Sequence, residues 1–235
     1  MDKRFWGVLV AIVAVLGGIF FITNDNKANA PSGNGTVTNH VYGEGTSGVK
    51  LVEYGDFQCP ACYQYFPVVK QVKEKYKDQI TFQFRNFPIY TAHPNAIASA
   101  RAAEAADLQG KFWEMHDLLY QNQQSWSPSS NPQKDFEAYA KQLGLDVPKF
   151  TTDFKSSLVN DRVQADLKEA TRLKVESTPT FFIDGKKISS PGLSLDAFSK
   201  IIDAAIEQKT GKKPAATTST EAGAETTPTT TESDQ

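Results

Sequence analysis

The residue types with the most evident chemistry are the only two cysteines of the 235-residue chain, in Gly55-Asp-Phe-Gln-Cys59-Pro-Ala-Cys62-Tyr-Gln-Tyr-Phe66. A disulfide closing so small a loop restrains the unfolded chain little, which makes a purely structural bridge a poor explanation. Zinc binding calls for four ligands, and no second Cys-x-x-Cys is present. The three histidines, His40, His93 and His116, show no paired spacing, so ligand counting disfavours a metal. Thiol–disulfide exchange fits the local pattern better. Cys59 follows a strand-like run and a loop, and would stand at the N-terminus of the next helix. There the free backbone N–H groups and the helix dipole favour a thiolate, the species that attacks or leaves. Pro60 suits the first helical turn, because its φ is preset and it has no N–H to satisfy. Lowering the Cys59 pKa by about two pH units would raise the potential of the pair by roughly 60 mV.

The elements that must position this pair can be read from periodicity. Residues 49–54 form a strand that ends at Gly55, 63–76 a helix with Phe66, Val69 and Val72 on one face, and 80–84 an alternating strand. Pro67 should kink the helix. Helices are expected at 94–107, 111–121, 135–143, 147–157 and 159–173. Residues 180–183 and 186–188 flank Asp184-Gly185, a two-residue hairpin signal. Ser194 is an N-cap for a last helix with Leu195, Phe198, Ile201, Ile202 and Ala205 as its apolar stripe.

The ends of the chain have a different character. Lys3 and Arg4 precede an uncharged run, residues 5–22, which as a helix would span roughly 27 Å and approach the ~30 Å hydrocarbon core. The basic flank keeps the N-terminus cytoplasmic and sends the remainder across the membrane. Two readings follow: an uncleaved single-pass anchor in the cell membrane, or a signal segment removed near Ala30 to give a secreted protein. The length of the apolar run favours the anchor. Both place the domain where disulfides persist. Residues 24–48 read as a flexible linker and 210–235, rich in Thr, Glu, Ala and Pro, as a disordered tail. A net charge of −2 gives no reason to expect nucleic-acid binding.

Glu53-Tyr-Gly-Asp-Phe-Gln-Cys-Pro-Ala-Cys62, together with Ser177-Thr-Pro-Thr-Phe-Phe-Ile-Asp-Gly185, resembles the DsbA-like thiol–disulfide oxidoreductases of the thioredoxin superfamily. Arg85-Asn-Phe-Pro88, His93-Pro-Asn-Ala96 and Gly110-Lys-Phe-Trp113 extend the likeness, which covers about residues 49–209. The resemblance implies an α/β thioredoxin fold with a helical insertion at about residues 92–173. It implies that Cys59 is the exposed nucleophile and Cys62 the buried resolving thiol. Glu53 matches a buried acid that assists proton transfer, although as a strand residue alone it reads as solvent-facing. Pro179 matches a cis-proline opposite the cysteines, with the backbone of Thr178 pairing with an extended substrate. Pro67 matches a kink in the active-site helix. No cofactor is implied. The partners implied are reduced, newly translocated proteins and a quinone-linked membrane oxidase that restores the disulfide.

One departure stands out. The strongest oxidants of the family carry Pro-His between the cysteines, and Ala61 offers neither charge nor side-chain donor to Cys59, so a milder oxidant is expected. An isomerase or reductase would use the same pair. A tethered chaperone or a metal-carrying module is the reading from a different class. His93 and His116 read as a helix-start residue and a packed helix residue, and Phe112, Trp113 and Trp126 as packing of the insertion. Asp56 lies near enough to Cys59 to shift it in either direction, according to geometry.

Overall fold

The structure is a computed structural model that describes residues 36–189 and 191–214. At its centre β2 (Val49–Gly55) and β3 (Ile80–Asn86) run parallel, with Leu51 opposite Phe82 and Glu53 opposite Phe84. A parallel pair needs a crossover, and helix α1 (Pro60–Tyr76) supplies it. β4 (Thr180–Ile183) lies antiparallel on the other side of β2 and continues into β5 (Lys186–Lys187). Asp184 and Gly185 both take positive φ, 47° and 79°, as a two-residue hairpin turn requires. The sheet order is β1-β3-β2-β4-β5, with β1 at His40–Tyr42 antiparallel to β3.

Alternation along β2 sorts the two faces. Val49, Leu51 and Glu53 are buried on the face shared with α1 and with α8 (Leu195–Thr210). Tyr54 joins Ala170, Val175 and Phe182 in a smaller cluster on the opposite face. Ser194 caps α8, its hydroxyl accepting from the Ala197 N–H at 3.2 Å, and Gly211 ends the helix in the left-handed conformation at φ 69°.

Between β3 and β4 come α2 (Ala96–Asp107), α3 (Phe112–Gln121), α4 (Gln123–Trp126), α5 (Pro132–Gln142), α6 (Val147–Lys155) and α7 (Ser157–Arg172). The alanines of α2 carry no bulk, which lets neighbouring helices approach closely, and Ala102, Ala103, Ala105 and Ala106 are fully buried. Trp126, Phe136 and Phe150 fill the centre of the insertion, and the Trp126 indole N–H donates to Leu119 O at 2.7 Å.

Two expectations need revision. The linker expected to reach residue 48 is folded from residue 36 among the described residues. Thr38 donates twice to Asp166, from its N–H at 2.9 Å and its hydroxyl at 2.6 Å. His40 lies 2.7 Å from Glu104 and stacks on Phe112 at 3.5 Å between ring centres. The polarity of this stretch serves buried hydrogen bonds, so composition alone misread it. Pro67 lies inside the helix that runs from Pro60 to Tyr76. Residues 123–126 form a short helix where none was expected. The apolar run 5–22, the cleavage position at Ala30 and the tail from residue 215 lie outside the described residues. Within them, no helix is long and apolar enough to cross a membrane.

Candidate active site

The carboxyl end of β2 delivers the chain into a tight loop whose conformation is fixed by Asp56. Its buried carboxylate accepts from the N–H of Gln58 at 2.8 Å and of Ile89 at 2.9 Å, and lies 2.7 Å from His93 Nδ1. Asp56 thus ties the cysteine loop to the segment after β3. The insertion holds the same loop from the other side. Gln123 Nε2 donates to Phe57 O at 2.8 Å and to Cys59 O at 3.0 Å. Gln58 donates to Ser127 O at 3.0 Å and accepts from Asn95 N–H at 2.6 Å. Gly55 is required here because a Cβ would come within 2.4 Å of the Phe84 ring and 3.0 Å of Tyr120 Oη.

Cys59 is the N-cap of α1, with φ −69° and ψ 124°, and Pro60 follows in the first turn. Because β4 begins with Thr180 opposite Tyr54, the residues just before it fall beside the start of α1. The Thr178–Pro179 peptide is cis, and Cys59 Sγ lies 3.4 Å from Thr178 O, within reach of a hydrogen bond when the thiol is protonated. The structure therefore brings Cys59, Pro60, Ala61, Cys62, Thr178 and Pro179 together. Glu53 lies beneath them on the buried face of β2, which overturns its reading as a solvent-facing residue.

Both sulfurs are free thiols and both side chains are buried, Cys59 at 7% exposure and Cys62 at 1%, so Cys59 is less open than the resemblance implied. The two are nonetheless electrostatically unlike. Cys59 is lowered from 9.0 to about 5, chiefly by the hydrogen bond from the Cys62 thiol. Burial opposes this, while the Thr178 side chain and the backbone N–H groups of Cys62 and Ala61 reinforce it. Those two N–H groups are the free donors of the helix start. Cys62 is pushed well above its ordinary value by burial, by its bond to Cys59 and by the charges of Glu53 and Cys59. Burial also raises Glu53, to about 8, against the pull of the Lys73 ammonium.

Sequence reasoning named the helix start as the source of the Cys59 shift but missed its largest contributor, the partner thiol. It also missed Gln123, Gln58 and Asn95, whose hydrogen bonds cross the boundary between insertion and sheet and leave no local pattern. His116 is packed as expected, buried among Phe57, Phe84 and Trp113. His93 does more than start a helix, since it holds Asp56. Among the described residues, no group of His, Cys, Asp and Glu side chains is arranged to hold a metal ion.

A thioredoxin-like sheet with a helical insertion, and a Cys-x-x-Cys at a helix start facing a cis-proline, defines the DsbA-like class of thiol–disulfide oxidoreductase. The family model described as Thioredoxin matches residues 35–204, and the chain belongs to that family. Solved structures of similar fold include α-DsbA1 of Wolbachia pipientis, with TM-score 0.64, 19% identity, and coverage of 79% of this chain and 96% of that one. BdbD of Bacillus subtilis in its oxidised form gives TM-score 0.62 and 19% identity, covering 76% and 100%. Among curated relatives, the Na(+)/H(+) antiporter NhaA 1 of Mycolicibacterium gilvum is 39% identical over 156 residues, 65% of this chain and 24% of that protein. The chain spans about a quarter of the length of such relatives, and ion antiport is not carried to it by the match.

Proposed function

We propose that the protein is an extracytoplasmic thiol oxidase that donates the Cys59–Cys62 disulfide to reduced, translocated proteins. The observation that carries this reading is the asymmetry of the two sulfurs at the start of α1, one lowered to about 5 and so a thiolate at neutral pH, the other kept protonated by burial. A client thiolate attacks Cys59, the sulfur beside the cis-proline loop, and the electron pair leaves on Cys62. A second client thiolate then attacks the client sulfur of the mixed disulfide and expels Cys59. Cys59 is a good leaving group because its thiolate is stable. Two client thiols become one disulfide, and the protein takes up two electrons and one proton. The backbone at Thr178 would hold the extended client as an added strand.

Donation in this direction is supported by the stabilised thiolate, which makes the disulfide the more oxidising member of an exchanging pair. Anchoring through residues 5–22 and reoxidation by a quinone-linked membrane protein belong to the same proposal, the first resting on the sequence and the second on the family resemblance. The test is a trap. In Cys62→Ala, Cys59 should accumulate mixed disulfides with client proteins, identifiable by mass spectrometry. Wild-type protein should be found disulfide-bonded in cells. A predominantly dithiol population would point to reduction or isomerisation, and an empty trap would defeat catalysis by this pair.

A further inference from the structure

Asp56 stands in the turn between β2 and α1, three residues before Cys59, and the exchange chemistry gives it no task. Its carboxylate is removed from water and shared among three donors from two segments. Oδ1 accepts from the Gln58 N–H at 2.8 Å, and Oδ2 accepts from the Ile89 N–H at 2.9 Å. His93 Nδ1 lies 2.7 Å from Oδ2, and because a carboxylate can only accept, Nδ1 carries the proton. A buried carboxylate bound by three N–H groups is fixed in direction as well as in place. The main chain of the same residue is held on both sides. Gly55 O, before it, accepts from the Phe87 N–H at 2.8 Å, and Asp56 O accepts from the Cys59 N–H at 3.1 Å. β2 ends at Gly55, so the Asp56 N–H lies beyond the strand ladder. It donates instead to the sulfur of Cys62.

We propose that Asp56 is a positioning residue for disulfide opening: its carboxylate, gripped by Gln58, Ile89 and His93, aims its own main-chain N–H at Cys62, where the electron pair arrives. The proposal rests on the redox reading of the cysteine pair. Burial disfavours the Cys62 anion and makes this sulfur a poor leaving group. One N–H already in place before the charge arrives offsets part of that penalty without reorganisation, as donors do around a developing oxyanion. The helix start is not free for this purpose, since the N–H groups of Ala61 and Cys62 serve Cys59. The two sulfurs thus draw on separate donors, Cys59 on the first turn of α1 and Cys62 on the turn before it.

In the step concerned, a client thiolate forms a bond to Cys59 Sγ and the Cys59–Cys62 bond breaks. The negative charge of the client passes to Cys62 Sγ, which is afterwards neutralised by a proton from water. The carboxylate of Asp56 works against this step by its charge, because an anion so near a developing thiolate raises its energy. Its benefit comes from geometry alone. Charge and geometry therefore predict opposite effects when the carboxylate is replaced by an amide.

The test compares wild type, Asp56→Asn, His93→Leu and His93→Asn as full chains. The rate of disulfide opening by excess single-cysteine peptide is measured at neutral pH, beside the Cys59 thiolate absorbance titration and hydrogen exchange of the Asp56 amide by NMR. Asp56→Asn and His93→Leu should each slow opening by about tenfold, less than the roughly hundredfold that outright removal of such a donor costs. In His93→Leu, which keeps the Asp56 charge, the Cys59 titration should not move. There the Asp56 amide should lose protection while the Phe87 amide keeps its own. His93→Asn, whose amide nitrogen can stand where Nδ1 stood, should recover most of the rate. Opening in Asp56→Asn as fast as in wild type, or faster, would show that charge rather than aim is what Asp56 supplies, and would overturn the proposal. So would slowing matched by a drift of the Cys59 titration in His93→Leu, the mark of a displaced loop. If the variants do not fold, the wild type decides. A protected Asp56 amide upholds the bond to Cys62, and one exchanging like an open loop removes the donor. An inactive wild type with an empty Cys62→Ala trap would instead defeat the redox reading beneath it, leaving the protection of the Asp56 amide as it was.

Discussion

Acidity is the perturbation that tests the Cys59 thiolate most directly, because the redox potential counts protons. With Cys59 titrating near 5 and Cys62 far above neutrality, reduction at pH 7 takes up two electrons and one proton. The potential should then fall by about 30 mV per pH unit between pH 6 and 7.5. Below pH 5 both sulfurs are protonated on reduction, and the slope should steepen to about 60 mV per pH unit. The sign follows from linkage. A depressed thiol pKa stabilises the reduced fold at high pH, and that stabilisation is lost as pH falls through about 5. Against a sulfur titrating at the ordinary 9.0, only the interval from 5 to 7 is expressed at pH 7, so the pair is more oxidising by roughly 60 mV. The assay is equilibration with glutathione buffers at stepped pH, read by mass-resolved alkylation, alongside thiolate absorbance of the reduced protein. A slope near 60 mV per pH unit persisting through pH 6–7.5 would show Cys59 to be an ordinary thiol and refute the reasoning.

Four further outcomes follow from named contacts. Glu53→Gln should stabilise the protein at pH 7 by on the order of 3 kcal/mol in urea unfolding, because the wild-type acid stays protonated up to about 8 when folded and so loses stability as pH rises from 4.5. The same variant should slow client oxidation, and wild-type turnover would exclude Glu53 from proton transfer. Gln123→Ala strands the carbonyls of Phe57 and Cys59 and should cost about 1–3 kcal/mol in urea unfolding, with an unchanged midpoint counting against the clamp. Ala61→His should lower the Cys59 titration midpoint and raise the potential, since the imidazole adds a donor or a charge; no movement in either would remove the reason for expecting a milder oxidant. His40 is raised to about 9 in the fold, where burial alone would lower it but Glu104 and Asp107 more than compensate. Its stabilisation should be complete below pH 6.5 and lost as pH rises through 9, and subtracting the pH–stability curve of His40→Gln should isolate that loss.

Much of the architecture is local enough to be legible in one dimension. The alternation of residues 49–54 and 80–84, the Asp184-Gly185 turn and the Ser194 cap each state a short-range preference that folding has no reason to override. The reduced spacing of two thiols behind a strand likewise names its own chemistry, because a Cys-x-x-Cys at a helix start depends on the dipole and N–H groups of its own first turn. What failed to show in sequence is what depends on distant partners. Residues 36–42 look like a linker until Asp166 and Glu104 arrive from helices more than sixty residues away to satisfy Thr38 and His40. Glu53 in an alternating strand gives no sign of which face is covered, and only α1 packing above it makes its carboxyl a buried acid. The cysteine pair was determined by the sequence. The difference between its two sulfurs was decided by tertiary structure, because charge in a protein is set by what burial removes and which donors, from anywhere in the chain, replace the lost water.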